Sequence, residues 1–135
     1  EEVYSDNDPQ HGYSGDEDQG LMGALSVIMK MGIFEMKGGA DIDPTYDLSS
    51  PIFDQIIIHL DKDYYPGGRF TISTKNNNPE NKYIQSVKLN GTPLNQSWFH
   101  HKDLVKGGAL EYVLGEKPNY EWATAEELLP ASMSD

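Results

Sequence analysis

The sequence predicts a mainly β fold: a small antiparallel, sandwich-like module preceded by one buried helix. Three observations predict it. After Pro44, apolar residues alternate with polar ones along several runs, the period of strands with one covered face. Turn formers punctuate those runs, and the 135 residues include 13 Gly and 8 Pro. Ahead of them, residues 21–32 are apolar at helical spacing, with Lys30 as their only charge.

Residues 1–20 are polar and acidic, broken by Pro9, Gly12, Gly15 and Gly20, and read as a loop. In the helix that follows, Leu21, Leu25, Ile28 and Gly32 share one face, while Met22, Val27 and Met29 make the others apolar. A helix apolar nearly all round belongs inside a protein. Asp16 or Asp18 can cap its start, and Gly32 or the pair Gly38-Gly39 can end it.

Four strands are expected, over residues 55–60, 69–74, 82–89 and 109–114. Their core face should hold Ile56, Ile58, Phe70, Ile72, Ile84, Val87, Leu89, Leu110 and Val113. Turns fall at Pro66-Gly67-Gly68, Asn76-Asn77-Asn78-Pro79, Asn90-Gly91 and Gly107-Gly108, with Asn90-Gly91 the best hairpin signal. Trp98 and Phe99 should cover one end of the sheet, and the acidic tail after Pro118 reads as partly disordered. One apolar helix ahead of a small sheet has more surface than that sheet can cover. Its missing neighbours point to a piece of something larger, and alone it should self-associate.

The totals exclude several functions. A net charge of −12, from 22 acidic and 10 basic residues, repels phosphate backbones, so no nucleic-acid partner is expected. No cysteine is present, so disulfides, thiolate zinc sites and cysteine nucleophiles are excluded. No apolar run is long enough to span a bilayer, and residues 1–6 resemble neither a signal peptide nor a natural start. Asp6, Asp8, Gln10, Gly12 and Glu17 fall at calcium-loop spacing, but His11 stands where that loop needs glycine and no helix pattern precedes it. His59 and the pair His100-His101 lack a second ligand set. Asp16, Glu17 and Asp18, just ahead of a helix, suit a cap, a general base or a hard-cation ligand.

Longer strings narrow the choice. The run from Ser14 through Asp16-Glu17-Asp18 to Ala24 resembles a signature of glycoside hydrolase family 92, the calcium-dependent exo-α-mannosidases. Tyr46 to Asp54 resembles a second, and Lys75 to Ser86, with its Asn76-Asn77-Asn78-Pro79-Glu80-Asn81 core, a third. Leu89 to Asn95, Lys106 to Leu110 and Leu114 to Asn119 continue the likeness in order. Two positions depart from it: Leu25 follows Gly23-Ala24 where the family usually has tryptophan, and Ser49 replaces a usual glycine.

The resemblance implies that residues 1–40 are the loop and last helix of an (α/α)₆ barrel. Residues 41–122 would be the C-terminal β module and 123–135 an acidic tail. It implies an inverting exo-α-mannosidase of the α-1,2 type acting on α-mannoside glycans, with calcium in the mannose pocket. Asp18 would be the general base, Asp16 its partner and Glu17 a sugar contact. The general acid and most calcium ligands would lie outside this chain, leaving it inactive alone. Family habit places such enzymes in the bacterial periplasm or at the cell surface. The alternative is a non-catalytic carbohydrate-binding module that stacks sugars on Trp98, Phe99, Tyr64 and Tyr65.

Overall fold

The structure, a computed structural model, describes residues 20–130. Helix α1 (Leu21–Lys30) leads into β1 (Ile33–Phe34) and β2 (Thr45–Leu48). Strands β3 (Gln55–His59), β4 (Arg69–Lys75), β5 (Tyr83–Leu89), β6 (Thr92–Leu94) and β7 (Trp98–His100) follow, then the short helix α2 (His101–Val105) and β8 (Gly108–Gly115). A three-stranded sheet has the order β1-β2-β7 and a five-stranded sheet the order β3-β4-β8-β5-β6.

The core joins the two sheets. Ile33 and Phe99 come from the smaller one, and Phe70, Ile72, Val87, Leu110 and Tyr112 from the larger. The rings of Phe70 and Phe99 stack at 6.0 Å between centroids. Leu104 of α2 closes the cluster. The mainly β, sandwich-like expectation therefore holds, and all four expected strands form within a residue or two of their expected ends.

The pairing is mixed, however, and not purely antiparallel. Strand β8 runs parallel to β4, with Phe70 opposite Gly108, and antiparallel to β5 on its other side. Two glycine turns allow this. The loops entering β4 and β8 start at the same end of the sheet, where the Gly67 amide donates to the Val105 carbonyl at 3.1 Å. A Cβ on Gly67 would meet the Gly107 nitrogen at 2.1 Å, so the two loops can cross only without side chains.

The Asn90-Gly91 hairpin forms as expected. Both residues have positive φ, 51° and 78°, the two-residue turn whose twist matches its strands. The Asn90 side chain also accepts a bond from the Ala109 amide at 2.8 Å, stitching the hairpin to β8.

Strand β5 hides a bulge. Ile84 pairs with Leu114 but Ser86 pairs with Val113, leaving Gln85 as an extra residue. The bulge restores parity, so Ile84, Val87 and Leu89 all reach the core face although they are spaced three and two apart. No bulge intervenes between Leu110 and Val113. Tyr112, fully buried, therefore takes the inward place expected of Val113, which stands half-buried on the other face. Gln85 is pinned from outside: it donates to the Lys117 carbonyl at 2.8 Å and its own carbonyl accepts from Asn119 at 2.9 Å. Trp122 donates to Leu94 and Trp98 to Leu128, so residues 119–128 of the tail are docked on the module, while 131–135 lie outside the described residues.

Helix α1 forms as expected, but none of its residues is buried. Leu21 is 60% and Val27 57% exposed. The physical reason is supply: the described residues bring β1 and the 49–52 segment against its C-terminal end, and these cover none of its side chains fully. Gly20 holds the N-cap position, without a side chain to cap with; the expected caps, Asp16 and Asp18, lie outside the described residues.

Candidate functional site

Asp16, Glu17 and Asp18, the residues implicated from sequence, lie outside the described residues. The described residues instead show where the other two long signature strings go. They meet each other and the C-terminal end of α1.

The segment 49–54 runs across the end of the helix. A helix leaves its last carbonyls without intrahelical partners. Here the Ser49 hydroxyl donates to the Met29 carbonyl at 3.1 Å, the Ile52 amide to Lys30 at 3.1 Å and the Ser49 amide to Gly32 at 3.0 Å. From the larger sheet, the buried Tyr112 hydroxyl donates to the same Gly32 carbonyl at 2.6 Å. Burial pushes the Tyr112 phenol far above its usual range, so it stays a donor throughout. Gly32 has φ +88°, the left-handed turn that ends a helix, and Pro51 packs directly against its Cα. Ser49, the departure from family glycine, is thus accommodated: its hydroxyl supplies one of the bonds to the helix end.

The segment 76–82 lies on the other side. Ser50 donates to the Lys82 carbonyl at 2.7 Å, and the Asn77 amide group to the Asp54 carboxylate at 3.2 Å. Asn78 and Asn81 hold their own loop: Asn78 accepts from the Asn81 amide at 2.9 Å, and Asn81 donates to the Asn76 carbonyl at 2.7 Å. Between the two segments opens a groove of about 1010 Å³. Its amides and Lys82 can hydrogen-bond hydroxyl groups, and among the described residues Asp54 is the only carboxylate lining it. Glycoside hydrolysis uses two carboxyl groups, and the described lining supplies one. A smaller apolar groove of about 230 Å³ runs between α1 and Ile52.

Among the described residues the histidines do not form a metal centre. The Nδ1 of His100 lies 3.1 Å from the Asp43 carboxylate, which also takes the Lys102 ammonium at 2.8 Å. Lys102 holds the Asp43 carboxyl below its usual range, with His100 a smaller influence. His101 shares a 2.9 Å hydrogen bond with the Tyr46 hydroxyl. Among the described residues, no three carboxylate or imidazole side chains converge to hold a cation. They do not by themselves fit a calcium site.

Nor do the aromatic residues form the sugar platform of the alternative reading. Phe99 is buried in the core and the Trp98 indole is tied to the Leu128 carbonyl at 3.1 Å. Tyr65 meets His101 edge-on, leaving Tyr64, 80% exposed, as a lone ring. The residues that sequence reasoning missed are the ones that seal the junction: Tyr112, Pro51 and the Gly32 carbonyl. Parity with Leu110 signalled Tyr112; nothing local signalled that Pro51 would face Gly32.

Residues 1–116 match the model of the glycosyl hydrolase family 92 catalytic domain. An uncharacterized secreted glycosidase of Arthroderma benhamiae is 32% identical over 129 residues, 94% of this chain. The family 92 inverting mannosidase BT2199 of Bacteroides thetaiotaomicron superposes with a TM-score of 0.75 at 31% identity over 92% of this chain. The family 92 α-mannosidase BT3965 of the same organism, in complex with mannoimidazole, gives 0.81 at 26% identity over 97%. The chain spans 16% of the length of each of these relatives. The match reaches from the acidic segment to the end of β8, and the chain belongs to glycosyl hydrolase family 92.

Proposed function

We propose that this chain is part of an exo-acting α-mannosidase of the α-1,2 type that hydrolyses α-mannosides with inversion. The observation that carries the reading is the family match over residues 1–116, together with structural neighbours named as mannosidases, one of them an inverting enzyme. In this reading residues 1–40 are the loop and last helix of the (α/α)₆ barrel, 41–122 its β module and 123–135 a tail. The remaining barrel covers the apolar face that α1 leaves bare; without it, that face drives self-association. The enzyme works outside the cytoplasm, in a bacterial periplasm or at a cell surface. The A. benhamiae relative is described as secreted, and no helix among the described residues is long and apolar enough to cross a membrane.

Asp18 is the general base: ionised at neutral pH, it takes a proton from water as that water attacks the anomeric carbon. Asp16 is its partner and Glu17 contacts the sugar. Inversion needs a general acid on the opposite side, roughly 6.5–9.5 Å away, and that residue comes from outside this chain. Calcium belongs to the complete pocket, and no ligand is assigned to it from residues 20–130. The chain alone is therefore inactive, since catalysis depends on holding both carboxyl groups and the sugar in one geometry.

The test is to assay mannose release from an α-1,2-mannobiose in the presence of calcium. The complete enzyme should work and this chain alone should not. Asp18→Asn in the complete enzyme should lower the rate at least ~10²-fold while circular dichroism stays unchanged. Mannose release by the chain alone, or a near-normal rate for Asp18→Asn, defeats the assignment.

A further inference from the structure

The Asn90-Gly91 turn joins β5 to β6, and both residues are exposed. Asparagine is a thermolabile residue, most of all before glycine, which puts no side chain beside the attacking nitrogen. The chemistry is a cyclisation. The Gly91 nitrogen would bond to the Asn90 Cγ, lose its proton, and expel the side-chain nitrogen as ammonia. Water then opens the resulting imide at either carbonyl. One product is aspartate. The other is isoaspartate, whose main chain runs through Cβ and Cγ and so gains an atom.

The fold opposes this reaction in two ways. The positive φ of both residues, 51° and 78°, makes the turn the mirror image of type I. With ψ of the first residue at about +30°, as that turn class has it, the next nitrogen points away from Cβ and cannot reach Cγ. The carboxamide is also seated. The Asn90 amide donates to the Ala109 carbonyl at 2.8 Å, and the Ala109 amide donates back to the Asn90 Oδ1 at 2.8 Å. A Cβ on Gly108 would fall on that Oδ1 and lie 2.8 Å from Cγ. The carboxamide thus fills the place that any other residue at 108 would take. Cyclisation requires leaving that seat and untwisting the turn together.

We propose that Asn90 is a deamidation site gated by the β5–β6 hairpin: it is closed while the hairpin is formed, open when the hairpin opens, and its isoaspartate product keeps the hairpin from closing again. Strand β6 is the edge of its sheet and pairs with β5 alone, so its opening disturbs no other strand. Its Leu94 carbonyl holds the Trp122 indole at 2.9 Å. The extra main-chain atom of isoaspartate destroys the two-residue register that pairs Leu89 with Thr92. Pairing of β6 and docking of Trp122 are then lost together. Aspartate keeps the oxygen that Ala109 needs and recloses.

The test follows deamidation at Asn90 by peptide mass spectrometry in the complete enzyme at neutral pH, folded and in guanidinium chloride. The folded rate should be at least ~10-fold below the unfolded one. Gly108→Ala, which expels the carboxamide from its seat, should raise the folded rate by ~3-fold or more. If that variant fails to fold, Trp122→Ala, which loosens β6 from the tail, should raise it likewise. Aged enzyme carrying isoaspartate should lose hydrogen-exchange protection over residues 92–94, while Asn90→Asp should keep it. No deamidation at Asn90 in guanidinium overturns the site. Equal folded and unfolded rates, or a folded variant with an unchanged rate, overturn the gate. Full protection in the isoaspartate form overturns the one-way closure.

Discussion

Strand β4 and helix α1 are both rich in apolar residues, and their fates are opposite. In β4, Phe70, Ile72 and Thr74 are sealed, because β3 and β8 flank the strand and the smaller sheet covers its inner face. In α1, Leu21, Val27, Ile28 and Met29 stand exposed, because the described residues bring only short segments, β1 and residues 49–52, beside it. Burial is thus a property of the neighbours supplied and not of the segment. The sheet finds its neighbours within this chain. The helix is fixed at one end by hydrogen bonds and otherwise offers its apolar surface outward.

Removing a contact from the sealed region should have the largest effect. Phe70→Ala deletes a ring stacked on Phe99 and should cost about 3–5 kcal/mol in denaturant unfolding. That is a large part of the ~5–15 kcal/mol that a domain has. A loss below ~1 kcal/mol would show that the sheet core is not what holds the module. The bare region should respond differently. Val27→Gln with Met29→Gln should leave unfolding free energy within about 0.5 kcal/mol. The same pair should shift sedimentation toward monomer, and undiminished association would place the contact elsewhere.

The smallest effect lies between the two regions, on β2. Burial, and then the neighbouring Glu35, raise the Asp47 carboxyl above its ordinary 3.8. The folded state therefore favours the neutral form, so this carboxyl's contribution is best below its ordinary range and is lost as pH rises through its folded value. Asp47→Asn should raise the melting temperature at pH 7 by about 1–2 °C, allowing for solvent screening. The gain should vanish near pH 3. An equal gain at both pH values would mean that charge is not the cause.

Much of this was legible in local sequence. The four long strands, the Asn90-Gly91 turn and the end of α1 at Gly32 each follow from alternation or from residues that tolerate positive φ. The family was legible too, because its strings are long and ordered. The short strands β1, β2, β6 and β7 were not, since two to four residues are too few to show a period and pairing alone makes them strands.

The sequence by itself therefore determined which segments extend, which turn, and which family the chain belongs to, because those are matters of local backbone preference and residue order. The tertiary structure alone decided that β8 enters parallel between β4 and β5, that the Gln85 bulge returns Ile84 to the core, and that Tyr112 replaces Val113 inside. It also decided that Pro51 closes on Gly32, 19 positions away in the chain. Each of these depends on which distant backbone arrives alongside, and a periodicity only a few residues long carries no record of its partner.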